Sequence, residues 1–214
     1  MESLIQTIAV YALPVLFAIT LHEAAHGYVA RLFGDQTAFV AGRITLNPLK
    51  HIDPVGTVLV PLGILLLSSI GGAGFLFGWA KPVPVDAGSL RNPRRDMIWV
   101  AAAGPGSNLV MAIGWALMMN LQLAAGVREP FFFEMAKAGI LVNIGLMALN
   151  LLPVPPLDGG RIVAGLLPNR LAWQFSRVEP YGLFIVLALM ATGTLGFFLQ
   201  SFYQLGIGIV RLFI

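Results

Sequence analysis

The chain has 214 residues, of which 57% are hydrophobic and 11% are charged, and its mean hydropathy is +0.83. Soluble domains carry about 25% charged residues, so this composition excludes an ordinary soluble protein and indicates an integral membrane protein. The net charge of +3 is assigned to loops at the face of the lipid bilayer, so no nucleic-acid partner is expected. The chain has no cysteine, which excludes disulfides and thiolate metal ligands. The length predicts a single domain over residues 1–214.

The first apolar run predicts a transmembrane helix over residues 3–33. It has no basic segment before it, so it is interpreted as a retained helix and not as a cleaved signal. The run contains His22, Glu23 and His26. Two histidines four residues apart share one helix face, and a glutamate beside them can handle the protons of a bound water. This pattern is typical of zinc hydrolases, although a chance pair of core histidines is the alternative.

The short mixed stretch that follows predicts a small β-hairpin over residues 37–46. Its residues Arg43, Ile44 and Thr45 are candidate substrate contacts, because an exposed strand edge can pair with an extended peptide. A plain loop that covers the active site is an equal alternative. His51, in the polar loop beyond, is a candidate further metal ligand, but a histidine at the surface or one that hydrogen-bonds a ligand from behind is favoured.

Further apolar runs follow at residues 55–79, 97–120, 131–152 and 181–214. The first contains Pro61 and several glycines, which are unfavourable in a regular helix. The last exceeds the roughly 20 residues that span a bilayer, so it is either one long bent helix or two shorter ones. The fold class is therefore an all-α polytopic membrane protein with about 4–6 membrane segments. Its core is expected at about residues 3–165 and its C-terminal helical segment at about 180–214.

A second chemical stretch follows the run at 131–152. Pro153, Pro155 and Pro156 must stop a helix, because proline lacks an N–H and clashes with the preceding turn. The stretch ends with Asp158 on irregular backbone. Such a turn is common where a chain leaves the membrane, but a catalytic zinc requires three protein ligands. Asp158 is therefore predicted to complete the site with the two histidines.

The two stretches together resemble the site-2 protease family of intramembrane zinc metalloproteases, in a compact form without a PDZ insert. The motif His22-Glu23-x-x-His26 in the first helix and Asn150-x-x-Pro153-x-Pro155-x-Leu157-Asp158-Gly159 after a later one carry the resemblance, and the stretches 78–82 and 104–108 are also similar. The resemblance implies one Zn²⁺ per chain, held by His22, His26 and Asp158. It also implies that Glu23 is the general base and that Asn150 supports the site or the substrate carbonyl. Asn108 is a weaker candidate for substrate contact and is favoured as a bridge between helices.

The number of membrane crossings between His26 and Asp158 predicts the membrane topology. Zinc requires Asp158 and His26 on the same side of the membrane, which is possible only if residues 55–79 dip in and return as a re-entrant segment near 68–74. The loops at 31–53 and 81–96 carry three and four basic residues against two acidic residues each, so both are expected on the cytoplasmic side. The active site is then predicted to face the cytoplasm, and a bacterial cell membrane is the expected location.

The expected function is hydrolysis of peptide bonds in a membrane protein substrate with a transmembrane helix. One alternative is a divalent-metal transporter, but no internal repeat and no histidine-rich loop accompany the three-ligand cluster. Another alternative is a catalytically silent relative that keeps the fold and only binds other molecules. The presence of Glu23 disfavours this alternative, because the fold alone does not require a glutamate at that position.

Overall fold

A computed structural model describes residues 4–59 and 80–213, and all regular elements within these ranges are helical. The α-helices are α1 (Leu4–Leu32), α2 (Thr37–Val40), α3 (Pro93–Ala124), α4 (Pro130–Asn150), α5 (Asp158–Leu166), α6 (Asn169–Ser176), α7 (Gly182–Ala191) and α8 (Leu195–Val210). Four helical stretches in these ranges are long and apolar enough to cross a membrane: Ile5–Leu32, Pro93–Ala124, Pro130–Asn150 and Leu195–Phe213. The all-helical fold is thereby confirmed for the described residues, and the four candidate spans are consistent with a multi-pass membrane protein.

The long helices α1, α3 and α4 pack against one another, and α8 adds to α4. Ala112 and Ala116 of α3 are fully buried against Ile144 and Met147 of α4. Small side chains on α3 allow close approach of the helix axes, which favours packing where no hydrophobic driving force acts between helices. By contrast, Ile5 and Val110 are 78% and 69% exposed, as expected for side chains that face lipid.

The C-terminal end of α1 and the N-terminal end of α3 lie together. Arg91 N–H donates to the Phe33 carbonyl at 3.0 Å, so the connection between these helices starts and returns at one end of the bundle. This is the arrangement that the count of membrane crossings requires. The re-entrant segment expected near 68–74 lies outside the described residues. Of the run 55–79, the structure describes only residues 55–59, which belong to the short π-helix Pro54–Leu59.

The β-hairpin expected at residues 37–46 is wrong. Residues 37–40 form the one-turn helix α2, and residues 41–46 form turns and bends. The helical turn is favoured because Asp35 Oδ1 accepts the Thr37 N–H at 2.9 Å at its start, and Ala41 N–H donates to the Thr37 carbonyl at 3.0 Å. At the other end of the chain, α7 and α8 confirm two shorter helices in place of one long one. Gly193, with φ of +72°, makes the break between them.

Candidate metal centre

Three side chains from distant parts of the chain converge at one point. His22 and His26 lie near the C-terminal end of α1, and Asp158 is the first residue of α5. The two histidine Nε2 atoms are 3.1 Å apart, and Asp158 Oδ2 lies 3.2 Å from His22 Nε2 and 3.4 Å from His26 Nε2. All three residues are buried, with 6–9% of their surface exposed. The structure thus brings together the three predicted metal ligands.

These distances fit a zinc ion. Zinc bound to histidine nitrogen and carboxylate oxygen at about 2.0–2.1 Å in a tetrahedron has ligand atoms about 3.3–3.4 Å apart. The three separations of 3.1, 3.2 and 3.4 Å are close to the edges of one face of that tetrahedron. A fourth position remains for water or substrate, which is the pattern of a catalytic zinc site.

The tautomer of His22 is fixed by a chain of buried amides. Asn143 donates its amide N–H to the Gly139 carbonyl at 2.8 Å, so its Oδ1 is free to accept from Asn108 at 3.0 Å. Asn108 also donates to the Ala18 carbonyl at 3.2 Å. Its Oδ1 must therefore accept from His22 Nδ1, at 2.7 Å. Because Nδ1 carries the proton, His22 Nε2 presents a lone pair to the centre of the site.

The same reasoning applies to His26. Its Nδ1 lies 2.7 Å from the Val100 carbonyl, which can only accept, so Nδ1 carries the proton and Nε2 a lone pair. Asp158 Oδ2 is buried and has no hydrogen-bond partner within the described residues. Three lone pairs from two neutral imidazoles and a carboxylate thus face one another at contact distance. A cation at their centre turns this repulsion into coordination, and outer hydrogen bonds of this type are what metal-binding histidines use.

A close approach of α3 completes the wall behind the histidines. At Gly104, a Cβ atom would collide with His26 Nε2 and would lie 2.6 Å from Cε1 of each histidine. Only glycine leaves room for both rings at this point of α3. Asp158 depends on a similar approach, since a Cβ at Gly159 would collide with the Leu151 and Leu152 carbonyls. The Asp-Gly pair therefore lets the first turn of α5 lie directly on the end of α4.

Glu23 and Asn150 lie beside the triad. Together with His22, His26 and Asp158 they line a cavity of about 720 Å³ whose other walls are mainly apolar. This volume is in the range of ligand-binding cavities. Glu23 Oε2 accepts the Val83 N–H at 2.7 Å, and Asn150 donates one amide hydrogen to the Leu146 carbonyl at 3.0 Å. The predicted base and the predicted polar support therefore share one cavity with the metal ligands.

The other candidates lie elsewhere. Asn108 is fully buried behind His22 and is not part of the cavity wall, so it holds a ligand in place and cannot contact substrate there. Arg43, Ile44 and Thr45 belong to the bends after α2 and do not line the cavity. His51 is 2% exposed and therefore is not a surface histidine; its Nε2 donates to the Thr45 carbonyl at 3.1 Å.

Comparison with known proteins gives consistent matches. Residues 122–193 match the model of Peptidase family M50. A Bacillus subtilis protein named "Putative zinc metalloprotease YwhC" is 39% identical over 183 residues, which are 83% of this chain and 78% of that protein. The chain belongs to peptidase family M50. The resemblance to the site-2 protease family is thereby confirmed, and zinc is the cofactor that the relatives' names and the triad both support.

More distant M50 relatives carry the same description. A Mycolicibacterium smegmatis protein named "Putative zinc metalloprotease Rip2" is 31% identical over 84% of this chain and 66% of its own length. A Mycobacterium tuberculosis protein of the same name is 28% identical over 89% of this chain and 70% of its own length. No solved structure matches the chain.

Several residues of this M50 site were not identified from the sequence. Asn143 accepts a hydrogen bond from Asn108, and the Val100 carbonyl accepts one from His26. Val83 contacts Glu23 through its backbone N–H, and Arg161 lines the cavity. Arg161 could have been found, because it follows Asp158 by three residues and so shares its helix face. The backbone contacts carry no signal in residue type.

Proposed function

We propose that this M50 chain is an intramembrane zinc metalloprotease that hydrolyses peptide bonds of membrane-embedded protein substrates. The observation that carries the proposal is the triad of converging lone pairs with a further carboxylate, Glu23, that lies outside the triad in the same apolar cavity. A carrier needs a path of successive binding positions. The described residues offer one three-ligand cluster instead.

The chain's own groups divide the work of hydrolysis. Bound zinc supplies Lewis acidity, which lowers the pKa of a water to about 7 and polarises the scissile carbonyl. Glu23 takes a proton from the attacking water as its oxygen bonds to the carbonyl carbon. Glu23 then gives that proton to the amide nitrogen as the C–N bond breaks, which leaves a carboxyl end and an amine. His22, His26 and Asp158 hold the metal throughout.

Asn150 is proposed to steady the substrate. One of its amide hydrogens is bound to the Leu146 carbonyl, and the residue lines the cavity, so we propose that the other amide hydrogen bonds a peptide group of the substrate there. The apolar walls suit a segment of a membrane helix. The carbonyls of that helix are engaged in i to i+4 bonds, so the segment must unwind before it can be attacked. We therefore expect cleavage in helices that contain glycine or proline near their ends.

The active site is proposed to face the cytoplasm of a bacterial cell. The end of the bundle that holds the site also holds Arg31, Arg91, Arg94 and Arg95, next to the ends of α1 and α3. Basic residues at membrane-helix ends are enriched on the cytoplasmic side. Among the described residues, the opposite end, near the α3–α4 connection, carries Arg128 with Glu129, and Arg211 follows α8 where the Phe213 carbonyl accepts from Asn120, so fewer basic residues lie there than at the end that holds the site.

The test combines metal content with proteolysis. Wild type, Glu23→Gln and His22→Ala are purified in detergent, and zinc is measured by mass spectrometry. The three proteins are then placed in vesicles with a quenched fluorescent peptide that contains one apolar helix with a Gly-Pro break. We expect about one zinc per chain in wild type and Glu23→Gln, loss of zinc in His22→Ala, and cleavage by wild type alone. Cleavage by Glu23→Gln, or zinc transport into the vesicles without cleavage, would refute the proposal.

A further inference from the structure

The segment that opens the second described range, ahead of α3, passes directly beside Glu23. We call residues 80–86 the strap. Its Val83 N–H donates to Glu23 Oε2 at 2.7 Å, and Val83, Pro82 and Ala80 line the same cavity as the metal ligands. The strap therefore touches the carboxylate on which the proposed hydrolysis depends. What holds the strap in place then also sets the direction of that carboxylate.

Arg43 holds the strap at this point. Its guanidinium Nη2 donates to the Lys81 carbonyl at 2.8 Å and to the Pro82 carbonyl at 3.3 Å. The side chain is 9% exposed, and no carboxylate forms an ion pair with it among residues 4–59 and 80–213. A buried arginine without a counter-ion is costly. Two carbonyls of the strap thus receive the hydrogen bonds of a cation that the fold keeps out of water.

Arg43 and Glu23 act on the same peptide group. The Pro82 carbonyl and the Val83 N–H belong to one planar unit, in which C=O and N–H point in opposite directions. Arg43 binds the oxygen edge of this plane and Glu23 binds the hydrogen edge. The Arg43 guanidinium, the Pro82–Val83 peptide group and the Glu23 carboxylate thus form a chain of hydrogen bonds. The arginine polarises the peptide group and so strengthens the bond from the Val83 N–H to Glu23, and the carboxylate likewise strengthens the bond from Arg43 to the Pro82 carbonyl.

We propose that Arg43 is a positioning residue for Glu23, which it orients through the Pro82–Val83 peptide group. This inference rests on the proposed role of Glu23 as general base. The linkage fixes Oε2 and leaves Oε1 for the proton of the attacking water. Arg43 was a candidate for substrate contact from the sequence; the linkage gives it an effect on the reaction without any contact with substrate.

Two pairs of variants test the linkage with the quenched single-helix peptide as probe. Arg43→Gln removes the charge, and Lys50→Gln is its matched control, because it removes an exposed cation from the same connection. Val83→Pro removes the N–H that Glu23 accepts, and Val83→Ala is its control for loss of the side chain. Proline is compatible here, since Val83 already precedes Pro84 and is biased to extended backbone.

We expect kcat to fall about 10–100-fold in Arg43→Gln and in Val83→Pro, because small misplacements of a catalytic group cost this much. KM and zinc content should stay within about twofold of wild type. Lys50→Gln should retain kcat, and Val83→Ala, which keeps the N–H, should lose much less than Val83→Pro. Arg43→Lys keeps the charge and should restore part of the loss. A fall that appears in KM or zinc content alone would overturn the proposal, since a merely structural role changes those quantities.

The double variant Arg43→Gln/Val83→Pro gives the sharpest result. If Arg43 acts through the Val83 N–H, the double variant is about as slow as Val83→Pro alone. If the two residues act independently, their losses multiply. Multiplied losses would refute the linkage even where each single variant is slow.

Hydrogen exchange provides a readout that needs no proteolysis. The Val83 amide should be protected in wild type and should exchange faster in Arg43→Gln and Glu23→Gln, but not in Lys50→Gln. Faster exchange without any cleavage by wild type would support the linkage and count against the proposed function. Unchanged exchange in Arg43→Gln would overturn the linkage while leaving the proposed function intact.

Discussion

Substitution of Gly104 by alanine tests the architecture of the metal centre most directly. The new Cβ would lie 2.6 Å from Cε1 of both His22 and His26, whereas carbon atoms ordinarily approach to about 3.5–4.0 Å. The rings or α3 must therefore retreat by about 1 Å. Metal sites tolerate about 0.2 Å in ligand distances. Because both histidines are displaced at once, we expect zinc affinity to fall at least about 100-fold, or about 2.7 kcal/mol.

The assay is competition for zinc between the purified protein and a fluorescent chelator, with bound metal counted by mass spectrometry. Gly106→Ala is the matched control, since it lies on the same helix and a Cβ there meets nothing within 4 Å. That control should keep the affinity of wild type and should not unfold earlier, as alanine is the better helix former. Equal zinc affinity in Gly104→Ala and Gly106→Ala would refute the proposed contact between α3 and the ligands.

Three further predictions concern groups around the site. Asn108→Leu removes the acceptor of His22 Nδ1–H and should weaken zinc binding about 10–100-fold, whereas Asn108→Asp keeps an acceptor and should bind zinc more tightly than the leucine variant. Asn150→Ala should raise KM for the model peptide and leave zinc content unchanged; lost zinc would contradict a role at the substrate. Burial raises the pKa of Asp35, but hydrogen bonds from Thr37 and from the Asp86 N–H outweigh it and hold the pKa below its usual value. Because the folded pKa is depressed, the stabilisation by Asp35 is present above about pH 4 and is lost as the pH falls through the folded value. Asp35→Asn should lower the free energy of unfolding by about 2 kcal/mol at pH 7 and by clearly less at pH 3, and an equal loss at both would contradict this origin.

The sequence predicted that His22, His26 and Asp158 meet at one point because the signals for them are local and chemical. His22 and His26 share a helix face at a spacing of four, and prolines place Asp158 on irregular backbone at a helix end. Both signals arise from covalent geometry and helix period, which the fold does not override. The count of apolar runs likewise gave the membrane helices, since spanning a bilayer requires length and apolarity alone.

The hairpin at residues 37–46 failed for a physical reason. Short runs with β-branched residues adopt strands only where a partner strand pairs with them, and the structure offers none in the described ranges. Asp35 instead starts a helical turn. The roles of Asn143 and Val83 could not be predicted, because they depend on which helices meet and on backbone groups that every residue carries.

The order of the site residues along the chain determines when the site can exist. Asp158 follows His26 by 132 residues, and α3 and α4 lie between them. During synthesis, the histidine pair enters the membrane long before its third ligand is made. The chain therefore remains without a complete metal site until α4 has been inserted and α5 has folded onto its end. A protease built in this order stays inactive towards neighbouring proteins until Asp158 has been synthesised, and metal capture then joins the first helix to the start of α5.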